Sequence, residues 1–259
     1  GFDDTERLAV NEMPELDQWA LHRLSELDVL VRQCCADYDF HRLYVALGNF
    51  CTNDLSAFYL DIRKDALYCD DASSIRRRAA RTVLDQVFST LTAWLAPILC
   101  FTAEEAWQAR FPEDDSVHLR QFPAIPADWR NDALADRWSK VRTLRRVVTG
   151  ALEVERREKR IGASLQGHPT VYAPGEYLAA MEGLDAAEIC ITSSIDLREG
   201  AVPGGAFTVE DIADIGVVIA MAEGGKCARC WQVLDEVAAD DENAICHRCE
   251  TAVAAHAAA

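Results

Sequence analysis

The sequence predicts a mainly α-helical protein: a helical bundle, then a small α/β appendage, then a terminal four-cysteine module. Three observations predict it. Apolar residues recur at three- and four-residue steps through roughly the first 160 positions, the repeat of one helix face. After Gly162 this repeat gives way to short β-rich runs separated by Gly and Pro. Near the end stand two C-x2-C pairs. The expected divisions are 1–163 for the bundle, 164–223 for the appendage and 224–259 for the cysteine module.

The elements follow in order. Pro14 suits a first helical turn, and Leu16, Trp19, Ala20, Leu24, Leu27, Leu30, Val31 and Cys34 continue at helical steps. After a break at residues 37–39, Phe40, Leu43, Tyr44, Leu47, Phe50, Leu55, Phe58 and Ile62 carry a second helix to Lys64. A third opens at Ser73 or Ser74, both good capping residues, and stops at Leu95-Ala96-Pro97. A short fourth is expected from Thr102, where Glu105 three residues on has capping-box spacing. Pro112, Pro123 and Pro126 mark residues 111–129 as a loop, and a fifth helix runs from Asp132 to Arg160 and closes at Gly162. In the appendage, His168-Pro169 leads into TVYA, EYLAAMEG reads as a short helix, and EICIT, FTV and VVIAMA as short β-rich runs.

Composition and charge bound the function. The chain has 259 residues, half of them apolar and 27% charged, enough to bury a sizeable core. No apolar run approaches the roughly 18 residues of a membrane span, and the acidic start lacks a signal-peptide core, so a cytoplasmic protein without a membrane partner is expected. The net charge of −17 argues against a general nucleic-acid binder. Its distribution is uneven. Residues 137–160 hold nine basic and three acidic side chains, and residues 176–223 hold ten acidic and one basic. That asymmetry allows one basic strip on an acidic protein, so RNA contact is expected on that strip only.

Six of the ten cysteines are scattered, and Cys34, Cys51 and Cys100 fall among apolar helical positions, where buried free thiols are expected. The other four are different. Cys227 and Cys230, then 15 residues, then Cys246 and Cys249 form C-x2-C-x15-C-x2-C. Each pair can point two thiolates at one ion, and two pairs complete the tetrahedron that zinc prefers. Four thiolates leave no open coordination position, so the expected zinc is structural and stabilises a unit too small to fold on its own core. Gly224-Gly225 reads as a flexible entry to it. Arg229, Trp231 and Arg248 lie on or beside the turns, cations plus a flat aromatic suited to phosphates and unstacked bases. Trp231 is equally suited to capping the metal site.

At this point the sequence resembles a known family. YDFHRL, FYLDIRKDALY, APILCFTAEEAW, REKRIGASL and the terminal CARCW…CHRC occur in this order in bacterial isoleucyl-tRNA synthetases. The APIL-FTAEE-W string is shared with valyl and leucyl enzymes and marks only the class I group. The combination of FYLDIRKD with the cysteine module is particular to the isoleucyl branch. The resemblance implies a helical bundle of the class I anticodon-binding type that grips the anticodon stem and loop of the isoleucine tRNA, with the zinc module closing over it. It also implies that Lys64 is the basic residue engaged in anticodon reading, that Arg229 and Trp231 lie against the tRNA, and that the four cysteines are zinc ligands. Arg63 and Arg248 join this set on charge and adjacency. Without the family, Lys64 reads as a solvated lysine at a helix end, and Arg76, Arg77, Arg78 and Arg81 read as basic strip or solvated helix face.

The departures are as informative. No HIGH or KMSKS signature, nucleotide-binding fold or editing domain occurs in the chain. The resemblance therefore implies an inactive portion of an isoleucine–tRNA ligase, with catalytic and editing domains elsewhere as partners, and with ATP and Mg belonging to the catalytic domain alone. The competing readings are a zinc-bearing nucleic-acid or interaction module unrelated to aminoacylation, and a DNA-repair finger, for which the helical start offers no lesion-recognition fold.

Overall fold

The computed structural model describes residues 2–257. The chain forms two compact units, Gly1–Leu67 with Ser73–Asp132, and Tyr68–Ala72 with Ala133–Ala259. The second unit thus takes the last two residues of a helix of the first part and the three that follow it, and the fifth predicted helix groups with the appendage and the cysteine module.

The first unit is helical. Helix α1 (Glu15–Asp37) buries Leu16, Trp19, Ala20, Leu24, Leu27, Val31 and Cys34, and Pro14 precedes it as the cap. Tyr38 ends it in a left-handed conformation, donating to the Cys34 and Cys35 carbonyls. The Asp39 side chain then caps α2 (Phe40–Asn49) by accepting from the Arg42 N–H at 3.1 Å. The rod continues without a break through a π-helical stretch, Phe50–Leu60, into α3 (Asp61–Cys69), five residues beyond the expected end. In the π stretch the buried positions 50, 54, 55, 58 and 59 repeat every four to five residues, which matches its wider turn. Trp19 of α1 meets Phe58 edge-on, with ring centroids 5.0 Å apart.

A buried ion pair lies inside this packing. Asp17 is fully buried and accepts from Arg63 at 3.1 and 2.5 Å and from the Tyr59 hydroxyl at 2.6 Å. Burial pushes the Asp17 carboxyl up, against the pull of Arg63 and Tyr59. Arg63 is 1% exposed. This corrects the expectation that Arg63 contacts RNA: its guanidinium is committed to Asp17 and has no surface to offer.

Helix α4 (Ile75–Leu95) follows Ser74 as anticipated. Two members of its arginine run, Arg78 and Arg81, are engaged within the unit. Arg81 binds the Glu6 carboxylate at 2.5 and 2.8 Å, and Arg78 donates to the Thr5 and Glu6 carbonyls, so these two clip the N-terminal segment to the helix. Helix α5 (Cys100–Arg110) starts two residues before Thr102, and Leu99 caps it, so the expected capping box is absent. Glu104, rather than Glu105, is the structural acid: it accepts from the Ser116 hydroxyl and the Val117 N–H, both at 2.9 Å, and holds the Pro-rich loop. Cys34 is buried as expected, Cys51 half-buried, and Cys100 exposed.

The second unit is built on α6 (Asp132–Arg157), whose buried Leu134, Trp138, Val141, Leu144, Val148, Ala151 and Leu152 form one face. Beside it lies a sheet in the order β2-β1-β4-β3, from β1 (Gly167–Ala173), β2 (Asp196–Glu199), β3 (Phe207–Val209) and β4 (Ile212–Met221). β1 runs parallel to β2 and antiparallel to β4, with Val171 opposite both Leu197 and Val217. Gly150 of α6 lets the Phe207 ring approach; a Cβ there would sit 2.9 Å from it. Helix α7 (Gly175–Met181) begins one residue before EYLAAMEG and ends two residues short of its end. EICIT, in contrast, is not a strand. The Asp185 carboxylate accepts from the Glu188 N–H at 2.9 Å and starts α8 (Ala186–Cys190), which Ile191 closes with φ 57°. Capping overrides β propensity there. Strand β2 has little apolar alternation and was not foreseen.

The basic strip is largely consumed within this unit. Arg137 donates to the Ala180 carbonyl at 2.9 Å and to that of Glu182, and Arg145 donates to Ile189 at 2.8 Å. Lys140 pairs with Glu176 at 2.7 Å and Arg146 with Asp211 at 2.9 Å. These four side chains tie α6 to the appendage, which the reading of the strip as an RNA face did not anticipate.

Two stability predictions follow from the first unit. Arg63→Met strands the Asp17 charge and is expected to cost about 3–5 kcal/mol in urea denaturation, while adding Asp17→Leu recovers most of the loss. His22, fully buried, accepts the Asn131 N–H on Nδ1 at 2.9 Å, and burial holds its pKa below the ordinary 6.5 despite Glu26 nearby. The unfolded chain then binds the extra proton, so stability is complete above that value and falls as pH drops through it. The melting temperature should decline from pH 7.5 to 5.5 and decline less in His22→Gln.

Candidate metal centre and nucleic-acid interface

The cysteine module is a two-strand hairpin, β5 (Gly225–Lys226) and β6 (Val233–Leu234), followed by a helix, α9 (His247–Ala257). Cys227 follows the first strand, and Cys246 immediately precedes the helix. Turn and helix start bring the four sulphurs within 4.8 Å of one another, all on buried residues. A tetrahedron of zinc–thiolate bonds of about 2.3 Å has edges of about 3.8 Å. Cys230 and Cys246 Sγ stand 3.8 Å apart. The cage fits one tetrahedral ion.

The backbone prepares the cage for charge. Cys227 Sγ accepts from the N–H groups of Cys230 at 3.5 Å and Cys246 at 3.4 Å. Burial opposes its thiolate, but these donors and the Arg229 N–H outweigh it and bring its pKa to about 6. Burial pushes the Cys230 and Cys249 thiols up. A central cation is what allows four thiolates to share so small a space. The entry is not flexible: Gly224 has φ +110°, and a Cβ would collide with the Leu234 carbonyl, while one on Gly225 would meet that of Val237. These glycines exist for close backbone approach.

Two arginines fasten the cage to the end of α3. Arg229 donates to the Cys69 carbonyl at 2.6 Å, to the Tyr68 carbonyl at 3.0 Å and to Cys249 Sγ at 3.5 Å. Arg248 pairs with Asp70 at 3.1 Å and is 29% exposed. Cys69 packs among the four cysteines. The roles of Cys69 and Asp70 were not legible in the sequence, because a lone cysteine and an acid after a helix carry no spacing signal. A cation over the last carbonyls of a helix is favourable in itself.

Of the expected RNA-contacting residues, the structure leaves two open. Lys64 is exposed on α3. Trp231 is 62% exposed, with the Lys226 ammonium 5.7 Å from its ring centre. It stands outside the cysteine cluster, and its backbone takes a left-handed φ of 68°. Arg229 and Arg248 face inward, as described, and Arg63 is buried.

The comparisons bear on this arrangement. The family model described as the anticodon-binding domain of tRNA ligase matches residues 17–171. The chain belongs to that family. It is similar to the isoleucine–tRNA ligase of Brucella abortus biovar 1 (strain 9-941), at 53% identity over 241 residues, covering 93% of the chain and 25% of that protein. Its likeness to the enzymes of Agrobacterium fabrum (51% over 241 residues, 93% and 25% covered) and Bartonella henselae (48% over 239 residues, 92% and 25% covered) is of the same order. The chain spans about a quarter of the length of these curated relatives. Among the described residues no helix is long and apolar enough to cross a membrane.

Metal analysis should return one ion per chain, and Cys246→Ser should reduce it to a small fraction. Chelation should release hydrogen-exchange protection in residues 225–257 while β1 and β4 keep theirs.

Proposed function

We propose that this chain is the tRNA-gripping part of an isoleucine–tRNA ligase, contributing binding and discrimination while bond-making occurs elsewhere in the enzyme. The observation that carries this reading is the anticodon-binding family match over residues 17–171 in a chain that ends in a four-thiolate cage. The ligand is the isoleucine tRNA, held at its unpaired anticodon loop, and the chain alone neither activates isoleucine nor charges tRNA. The ion is one structural zinc, which the all-sulphur donor set favours. ATP and Mg serve the catalytic domain, and the partners within the polypeptide are the catalytic and editing domains. The setting is the cytoplasm.

Within this reading Lys64 and Trp231 contact the RNA. Lys64 supplies a mobile cation to phosphate or base edge, and Trp231 a flat face for an unstacked base. Arg229 and Arg248 serve by fixing the module. Because much of the α6 strip is paired internally, the sequence-independent electrostatic part of the affinity is modest, and base contacts weigh correspondingly more.

The test is a low-salt titration of the zinc-loaded chain with the isoleucine tRNA, the same tRNA with a changed anticodon, and a valine tRNA. Preference for the native anticodon is expected, and Lys64→Ala should lose roughly tenfold in affinity for it. Equal binding to all three would reduce the chain to an electrostatic RNA binder. No binding would favour the interaction-module reading, to which the charge of −17 already leans.

A further inference from the structure

Tyr68 is the last residue but one of α3, and 73% of its surface is exposed. No hydrogen bond or ring contact engages its side chain among the described residues. A single exposed tyrosine needs no explanation. Its surroundings do. Its backbone carbonyl is held by Arg229 at 3.0 Å, and the next carbonyl, of Cys69, is held by the same guanidinium at 2.6 Å. Two residues beyond Tyr68, Asp70 is neutralised by Arg248. The backbone under this exposed ring is therefore pinned from both sides by the module that carries Trp231, and Trp231 lies only two residues from Arg229.

The pinning has a chemical consequence. An aromatic ring on a rigid base presents a π-face at little cost in conformational entropy, and aromatic faces beside cations are the recurring means of holding unpaired bases. The Lys226 ammonium stands 5.7 Å from the centre of the Trp231 ring, and Asp70, two residues from Tyr68, is paired with Arg248. A protein partner would also accept exposed aromatics, but the anticodon-binding family match over residues 17–171, which takes in Tyr68, favours an RNA with unpaired bases.

We propose that Tyr68 is a second stacking platform, which together with Trp231 holds unpaired bases of a single-stranded RNA loop, and that Arg229 is the positioning residue that ties the two platforms together. This rests on the RNA-binding reading above. It assigns to Arg229 an indirect role: the guanidinium sets where Tyr68 stands and leaves direct phosphate contact to others.

The experiment titrates the zinc-loaded chain and its variants with isoleucine tRNA at several salt concentrations, with metal content and melting temperature measured on each sample. Tyr68→Ala should weaken binding roughly tenfold, the order of one lost base stack, and leave metal content, melting temperature and the slope of log affinity against log salt unchanged. Tyr68→Phe should bind as the parent does, and Tyr68→Leu, with bulk but no π-face, should bind like the alanine variant. Loss of a phosphate contact would instead lower the salt slope by about one. Tyr68→Ala binding within twofold of the parent while Trp231→Ala is impaired would overturn the Tyr68 assignment and leave the RNA-binding reading standing, as would full binding by Tyr68→Leu. Failure of the parent chain to bind any tRNA would overturn both.

Discussion

A guanidinium cannot be neutralised by burial, so each arginine taken from water must find planar acceptors for up to five N–H groups. This constraint organises the molecule. Of its 26 basic residues, 22 are arginine. Arg63 takes Asp17 in the first unit, Arg78 and Arg81 take the N-terminal segment, and Arg137 and Arg145 take the last carbonyls of the helices in the appendage. Arg229 does the same for α3 while touching a metal ligand. The lysines are differently employed: Lys64, Lys159 and Lys226 are all exposed. Arginine clamps, and lysine remains for the solvent side.

Arg229 links metal chemistry to the placement of a helix end. Its guanidinium spans Cys249 Sγ and two main-chain carbonyls of α3. A thiolate at Cys249 is a better acceptor than a thiol, so the cage in its ionised form strengthens the same fork that fixes Tyr68 and Cys69. An ion bound in the cage would act on the surface residues through this fork and through the left-handed turn at Trp231.

Much of this was legible in the sequence, and the failures have a common cause. The helical repeats of α1 and α4, the strand at FTV and the four-cysteine arrangement are local patterns, and local patterns survive in the chain as written. Arg63 beside Lys64 looks like its equal in sequence, yet the helical turn sends one inward to Asp17 and the other to solvent. The basic run 137–160 was read as one strip for RNA, yet Lys140 and Arg146 pair with acids of the 176–223 run, and Arg137 and Arg145 hold carbonyls there. EICIT has strand composition, but one carboxylate at Asp185 supplies the cap that makes it a helix. In each case the deciding partner lies outside the window that reveals the pattern. Tyr68 belongs to the same class, since only the location of Arg229 distinguishes it from any other exposed tyrosine.

The clamp at the end of α3 also has a history within each molecule's synthesis. Its acceptors and donors are 160, 161 and 178 residues apart in the chain. At about 5–20 residues per second, a ribosome completes α3 roughly ten to thirty seconds before Arg229 and Arg248 emerge. During that interval the Tyr68 and Cys69 carbonyls and the Asp70 carboxylate lack the arginines that later hold them, and the last turn of α3 is less firmly fixed. The second unit is therefore closed by residues made long after α3, and a nascent chain released before them would carry an anticodon-type bundle whose final helical turn has never been set.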